Sequence, residues 1–207
     1  MYLEDRVSDL PLLAVHGLAV KSAGTAEAVA ALLGMAPEEV QQSLESAVAD
    51  GRAIGAKGVF MATPAGRAWL DERYPEAFAA HREDPQVTAA ADKFERINCE
   101  LLAVLTDWQS VPVGGERVPN THTDPDYDRA MLDRLGDLHE RATKVVDRLS
   151  AAEPRLEQYS RRLDAAYDQA LAGQIEFVSG VRVDSYHVVW HELHEDLLRM
   201  LGRNREE

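Results

Sequence analysis

From Val87 to the end of the chain, apolar residues recur three and four apart in four long runs. No other feature constrains the fold as tightly, because this spacing lines one face of a helix. The first run, about 87–109, puts Phe94, Ile97, Leu101, Val104, Leu105 and Trp108 on one side. The second opens at Asp124-Pro125, a cap followed by a first-turn proline, and continues to about Ser150. Its stripe is Tyr127, Met131, Leu135, Leu138, Ala142, Val145, Val146 and Leu149. The third spans about Pro154 to Ala172, with Leu156, Tyr159, Leu163, Ala166, Tyr167 and Ala170 inward and Gly173 at its end. The fourth is capped by Asp184 or Ser185 and turns Trp190, Leu193, Leu197 and Leu201 together. Four such helices predict an antiparallel four-helix bundle over 87–207. Ser110 to Thr123 reads as a loop, as does the stretch holding Phe177, Gly180 and Val183.

The N-terminal third reads differently. Residues 1–9 form a polar lead, and a helix begins at Leu10, with Gly17 and Gly24 interrupting or ending it. Thr25 caps a second helix to Leu33, and Gly34 turns the chain. A third helix opens at Pro37 and buries Val40, Leu44, Ala47 and Val48. Asp50-Gly51 ends it. Two strand-like runs follow between Arg52 and Ala62 around a Lys-Gly tip. Thr63 and Pro64 then start another helix, which passes through Trp69 and Leu70. Three helices, a hairpin and a helix are the order of a winged helix-turn-helix domain. The expectation is therefore a mainly α chain: a winged domain over 1–75, a linker over 76–86, and the bundle. Leu44 to Arg67 resembles the end of the winged-helix fold of MarR-like regulators, in its Asp50-Gly51 exit, its wing and its Thr63-Pro64-Ala65-Gly66-Arg67 return to helix.

Charge sets the expectations for partners. The 207 residues carry 36 acids against 22 bases, a formal charge of −14 that repels polyanions. Apolar residues make up 45%, enough for a sizeable core. The third helix carries Glu38, Glu39, Glu45 and Asp50 and no Lys or Arg, whereas a DNA-reading helix needs cations and base-edge donors. A DNA surface would have to be built from Gln41, Gln42, Arg52, Lys57 and Arg67, aided by dimerisation. Residues 1–75 hold ten acids and six bases, a net charge of −4. DNA is thus the less favoured partner. Cys99 is the single cysteine, which excludes an internal disulfide and fits a reducing cytosol. No signal-peptide pattern opens the sequence, and no apolar run is long enough to span a bilayer. The expected location is the cytoplasm.

Candidate chemistry gathers on the last helix and on the helix opening at Asp124. At ~100° per residue, His187 and His194 lie within ~60° of the Trp190–Leu201 core direction, while Glu192, Glu195 and Asp196 face away. Asp128 points into its helix's apolar stripe, and buried carboxylates are costly unless bonded. Asn98, Asp128, Arg162, Tyr186, His187 and His194 are thus expected to converge, with Asn120 and His122 at the mouth. Arg155 or Arg162 would partner an anion. The same set serves equally as a buried network fixing helix register. His191-Glu192-Leu193-His194-Glu195 is not a metalloprotease helix, which needs His at i and i+4 with Glu at i+1. No metal or cofactor is expected. Nucleophilic catalysis lacks its motifs: Cys99 has no neighbouring His, and neither a Gly-x-Ser-x-Gly elbow nor a phosphate loop occurs.

Asp107-Trp108-Gln109, Pro119 to Asp124, Tyr127-Asp128, and Asp184 to His187 with Trp190 and Glu192 to Leu197 together resemble a module of bacterial phosphoenolpyruvate-utilising proteins of the pyruvate-phosphate-dikinase type. There a winged part precedes a helical part, so the resemblance covers most of residues 10–205. It implies an accessory or substrate-recognition role beside such an enzyme rather than catalysis. No dikinase catalytic residue carries over. The leading expectation is a non-catalytic module binding a partner protein or a small anionic ligand. The alternative is a ligand-responsive transcriptional regulator on DNA. Long amphipathic helices also allow a homodimer.

Overall fold

The computed structural model describes residues 4–204, and side chains from Leu10 onward. The fold is mainly helical. It divides into two compact units, one formed by 1–83 with 194–207, the other by 84–193.

The first unit opens with α1 (Glu4–Lys21), α2 (Ala26–Leu33) and α3 (Pro37–Ala49). Helix α1 starts well before Leu10 and runs straight through Gly17, contrary to the expected interruption. The reason is packing: a Cβ at Gly17 would sit 2.7 Å from Val29 Cγ1, so glycine lets α1 and α2 approach closely. Thr25 caps α2, its hydroxyl accepting from the Ala28 amide at 3.3 Å. Val40, Leu44 and Ala47 of α3 are buried as expected, but Val48 is exposed. Strands β1 (Ala53–Ala56) and β2 (Val59–Ala62) pair antiparallel with Ile54 opposite Met61 and Ala56 opposite Val59. Lys57 and Gly58 make the tight turn at φ +53° and +78°, the hand that suits a two-residue hairpin. Phe60 exchanges backbone hydrogen bonds with Gly24, tying the hairpin to the end of α1. Thr63 caps α4 (Pro64–Ala77), its hydroxyl accepting from the Gly66 amide at 3.0 Å.

The expected linker over 76–86 is helical instead. It holds the end of α4, then α5 (Ala79–Glu83) and the start of α6 (Pro85–Gln109). Asp84 supplies the reason, capping α6 through the Gln86 amide at 2.7 Å with Pro85 in the first turn.

In the second unit α6 carries its expected stripe, buried from Val87 to Trp108. The expected loop at 110–123 contains a second hairpin, β3 (Ser110–Val113) and β4 (Glu116–Pro119). Gly114 and Gly115, both at positive φ, form its turn between alternating valines. Helix α7 (Pro125–Ala152) follows, capped by Asp124. The expected third helix begins as a single 3-10 turn, Pro154–Leu156, before α8 (Glu157–Leu171). A short α9 (Glu176–Ser179) lies in the following loop. The last helix, α10 (Tyr186–Leu201), contributes residues 186–193 to this unit and the rest to the first. Phe94 of α6 stacks on Trp190 of α10 with centroids 4.4 Å apart. Arg203 and Asn204 continue past α10, and residues 205–207 lie outside the described residues.

Candidate functional site

In the second unit, three of the expected residues meet. Asn120 anchors them. Its side-chain amide donates to the Trp108 carbonyl and to Asp128 Oδ1, each at 3.0 Å. Its side-chain oxygen accepts from the His122 amide at 3.0 Å. That bond holds His122 at φ +55°, a left-handed backbone that non-glycine residues rarely adopt. Both Asp128 oxygens lie 3.1 Å from His122 Nδ1, which fixes the ring proton there. The imidazole rests on Trp108, centroids 4.6 Å apart. Asp128 is thus bonded rather than stranded, while Asp124 is the exposed N-cap that the sequence reading gives it. A second pair braces the hairpin: Asp107 takes Arg117 at 2.8 Å and Arg134 at 2.9 Å. These two arginines hold the Asp107 carboxyl below the usual carboxylate range.

The other expected residues make separate arrangements. Asn98 is buried and accepts from the Trp190 indole at 2.9 Å. Arg162 is held by Asp184 at 2.7 and 2.8 Å and by Glu192 at 2.6 Å. Burial works against its charge, but the bonds and charges of Asp184 and Glu192 outweigh it and raise the guanidinium above its ordinary range. Arg155 is buried with its Nε 3.7 Å from Glu153. Tyr186 is buried, its hydroxyl 3.4 Å from His139 Nδ1. His139 stacks on Tyr167 and reaches Asp164 through Nε2 at 3.3 Å. His187 is half-buried, and burial followed by the nearby His191 lowers its pKa. His194 is buried and belongs to the first unit. The expectation that Glu192 and Asp196 face away is corrected: both are buried, Glu192 on Arg162 and Asp196 on His16.

In the first unit, Gln42 and Lys57 are exposed, whereas Gln41 donates to Glu45 at 2.7 Å. Arg52 pairs with Asp50 at 3.3 Å and lies 4.3 Å over the Trp69 ring. Arg67 is half-buried.

The first unit holds a cavity that the helical wheel gave no reason to expect. Its volume is about 510 Å³, and α4, α5, α10 and residues 202–204 line it. Arg82, Arg199 and Arg203 supply its donors, facing Asp71 and Glu195, with Tyr74 also in the lining. Two of those arginines, 199 and 203, lie four apart at the end of α10, the one sequence signal that they share a face. Arg82 comes from α5, inside the stretch expected to be linker. Among the described residues no group of three or more His, Cys, Asp or Glu is placed to hold a metal ion. Nor is any described helix long and apolar enough to cross a membrane. Comparison with protein-family models, curated proteins and solved structures finds no match to this chain.

Proposed function

We propose that this chain is a non-catalytic recognition module that binds a partner protein and a small anionic ligand. We take its first unit for a winged helix-turn-helix domain and its long C-terminal helices for a four-helix bundle. The observation that carries the reading is the outer face of the β1–β2 hairpin. Ile54, Val59 and Met61 are 59%, 44% and 45% exposed, and the register puts them on one side of the sheet. A duplex offers nothing to such a face, because affinity there comes from cations on phosphates. A protein does: exposed apolar groups beside charged ones mark protein contacts. The exposed acids Glu38, Glu39, Glu45 and Asp50 on and after α3 favour a partner with an apolar patch rimmed by Lys and Arg.

The resemblance to the dikinase-associated module makes a phosphoenolpyruvate-utilising enzyme the first partner to test. Titration calorimetry of the two proteins is expected to show binding. Ile54→Asp and Met61→Asp are expected to weaken it at least about tenfold, since each places a desolvated charge in the interface. Unchanged affinity in both variants would remove the hairpin from the reading. The second reading, a regulator on DNA, draws on the exposed Gln42 and Lys57. It is the weaker one, because Arg52 is already engaged by Asp50 and Trp69.

A further inference from the structure

The cavity of the first unit has the makings of an anion site. Arg82 is fixed in place: its Nε donates to the Met200 carbonyl at 2.9 Å and its Nη2 to the Arg199 carbonyl at 3.3 Å. Gly202 makes this possible. It turns the chain at φ +65°, and a Cβ there would fall 3.1 Å from the Arg82 guanidinium carbon. The two bonds satisfy the closing carbonyls of α10 and leave Nη1 of Arg82 unused.

Arg199 is held from the other side. Glu195 pairs with its Nη2, one turn earlier on α10. Tyr74 lies against its guanidinium. Behind Tyr74 stands a buried relay. His16 Nε2 is 2.9 Å from Asp196 Oδ1, so that nitrogen carries the proton. In the neutral imidazole Nδ1 accepts, and the Tyr74 hydroxyl, 2.9 Å away, donates to it. The Tyr74 oxygen, its proton committed, presents lone pairs to Arg199. Burial keeps this hydroxyl protonated far above the ordinary tyrosine range. One atom remains unsatisfied: Arg199 Nε is buried and has no hydrogen-bond partner. Buried donors on arginine are nearly always bonded, so this guanidinium still has hydrogen-bonding capacity unused, and its exposed part lines the cavity.

From these contacts we infer that the cavity binds a small oxyanion, with Arg82 and Arg199 as its charged clamp and Arg203 at the rim. The shared chemistry is a phosphoryl or carboxylate head with several acceptor oxygens, which planar guanidiniums bind by paired N–H donors. Three guanidiniums face two carboxylates here, and one of those, Glu195, is already spent on Arg199. The lining thus gathers arginines in a chain of net charge −14. A volume of about 510 Å³ leaves room for the rest of a small metabolite beside its anionic head. This names the ligand of the recognition module and rests on that reading.

The test is titration calorimetry of the full chain with inorganic phosphate and, separately, malonate. Saturable binding of at least one is expected, weakening as salt rises. The stronger of the two identifies the head group. Arg199→Gln is expected to cost at least about tenfold in affinity, the scale of one hydrogen bond to a charged group. Arg203→Gln, at the rim, carries the same test with less risk to the fold and is expected to weaken binding in the same direction. Absence of binding by both anions to the unmodified chain, or unchanged affinity in both variants, would overturn the assignment. Partner binding by the hairpin face is measured in parallel. It survives if the cavity assignment alone fails, and it is lost with anion binding intact if the partner reading alone fails.

Discussion

His16 and Asp196 stand 180 residues apart in sequence and 2.9 Å apart in space, with both side chains wholly buried. The bond ties α1 to the end of α10 within the first unit. Asp196→Ala leaves the His16 N–H without this partner in the core. The expected loss is about 1–3 kcal/mol of unfolding free energy, the cost of a stranded buried donor. Asp196→Asn keeps an acceptor oxygen and is expected to lose less. Urea unfolding of the three proteins checks both. Equal stability of all three would show that the bond holds nothing.

Gly66 tests the hairpin's seat. A Cβ there would lie 2.0 Å from the Arg52 carbonyl oxygen, a backbone atom that cannot swing aside. That carbonyl already accepts from the Thr63 amide at 3.0 Å. Gly66→Ala is therefore expected to destabilise by about 1–3 kcal/mol although alanine is the better helix former. Ala65→Gly, one residue earlier at an exposed position, is expected to cost no more than about 1 kcal/mol. A gain in melting temperature for Gly66→Ala would contradict the close approach.

Histidine burial predicts acid sensitivity. Burial, then the charge of His191, lowers the His187 pKa below its ordinary 6.5. Burial also lowers that of His139, against the opposing charges of Asp164, Asp168 and Glu140. In both cases the unfolded chain takes up the proton first. Their contribution is complete above pH 6.5 and is lost as pH falls from there through the lowered folded values. Unfolding free energy measured from about pH 8 to about pH 5 is expected to decline below 6.5, and His187→Gln to flatten the decline. A wild-type profile that rises on acidification would have the sign wrong.

Much of the helical frame was legible in the sequence, because it rests on local rules. The α6 and α7 stripes, the Thr25 and Thr63 caps and the Lys57-Gly58 turn needed only spacing and turn chemistry. The β3–β4 hairpin is equally local, its signal being two glycines between alternating valines in the stretch expected to be loop. The polar residues were harder. A wheel of α10 treats Asp196 as outward because Trp190 and Leu193 set one core direction. The helix is in fact buried on more than one side, and His16, from the far end of the chain, receives Asp196. Asn98 likewise gave no hint that its partner is Trp190, 92 residues on. Asn120, His122 and Asp128 lie within eight residues of one another, so local reading could bring them together, although it expected them in a larger cluster with Asn98, Arg162 and the α10 histidines. Arg82 and Arg199 meet only through tertiary contacts across 117 residues, which no local pattern encodes.

The central claim is that the N-terminal unit recognises protein rather than nucleic acid. Fluorescence anisotropy with mixed-sequence duplex DNA, from about 25 to about 200 mM salt, tests it most directly. The account predicts no binding even at the lowest salt, where the charges of Glu38, Glu39 and Glu45 are least screened. Binding that falls steeply with salt, and that Lys57→Ala or Arg67→Ala weakens, would contradict it and put the hairpin on DNA.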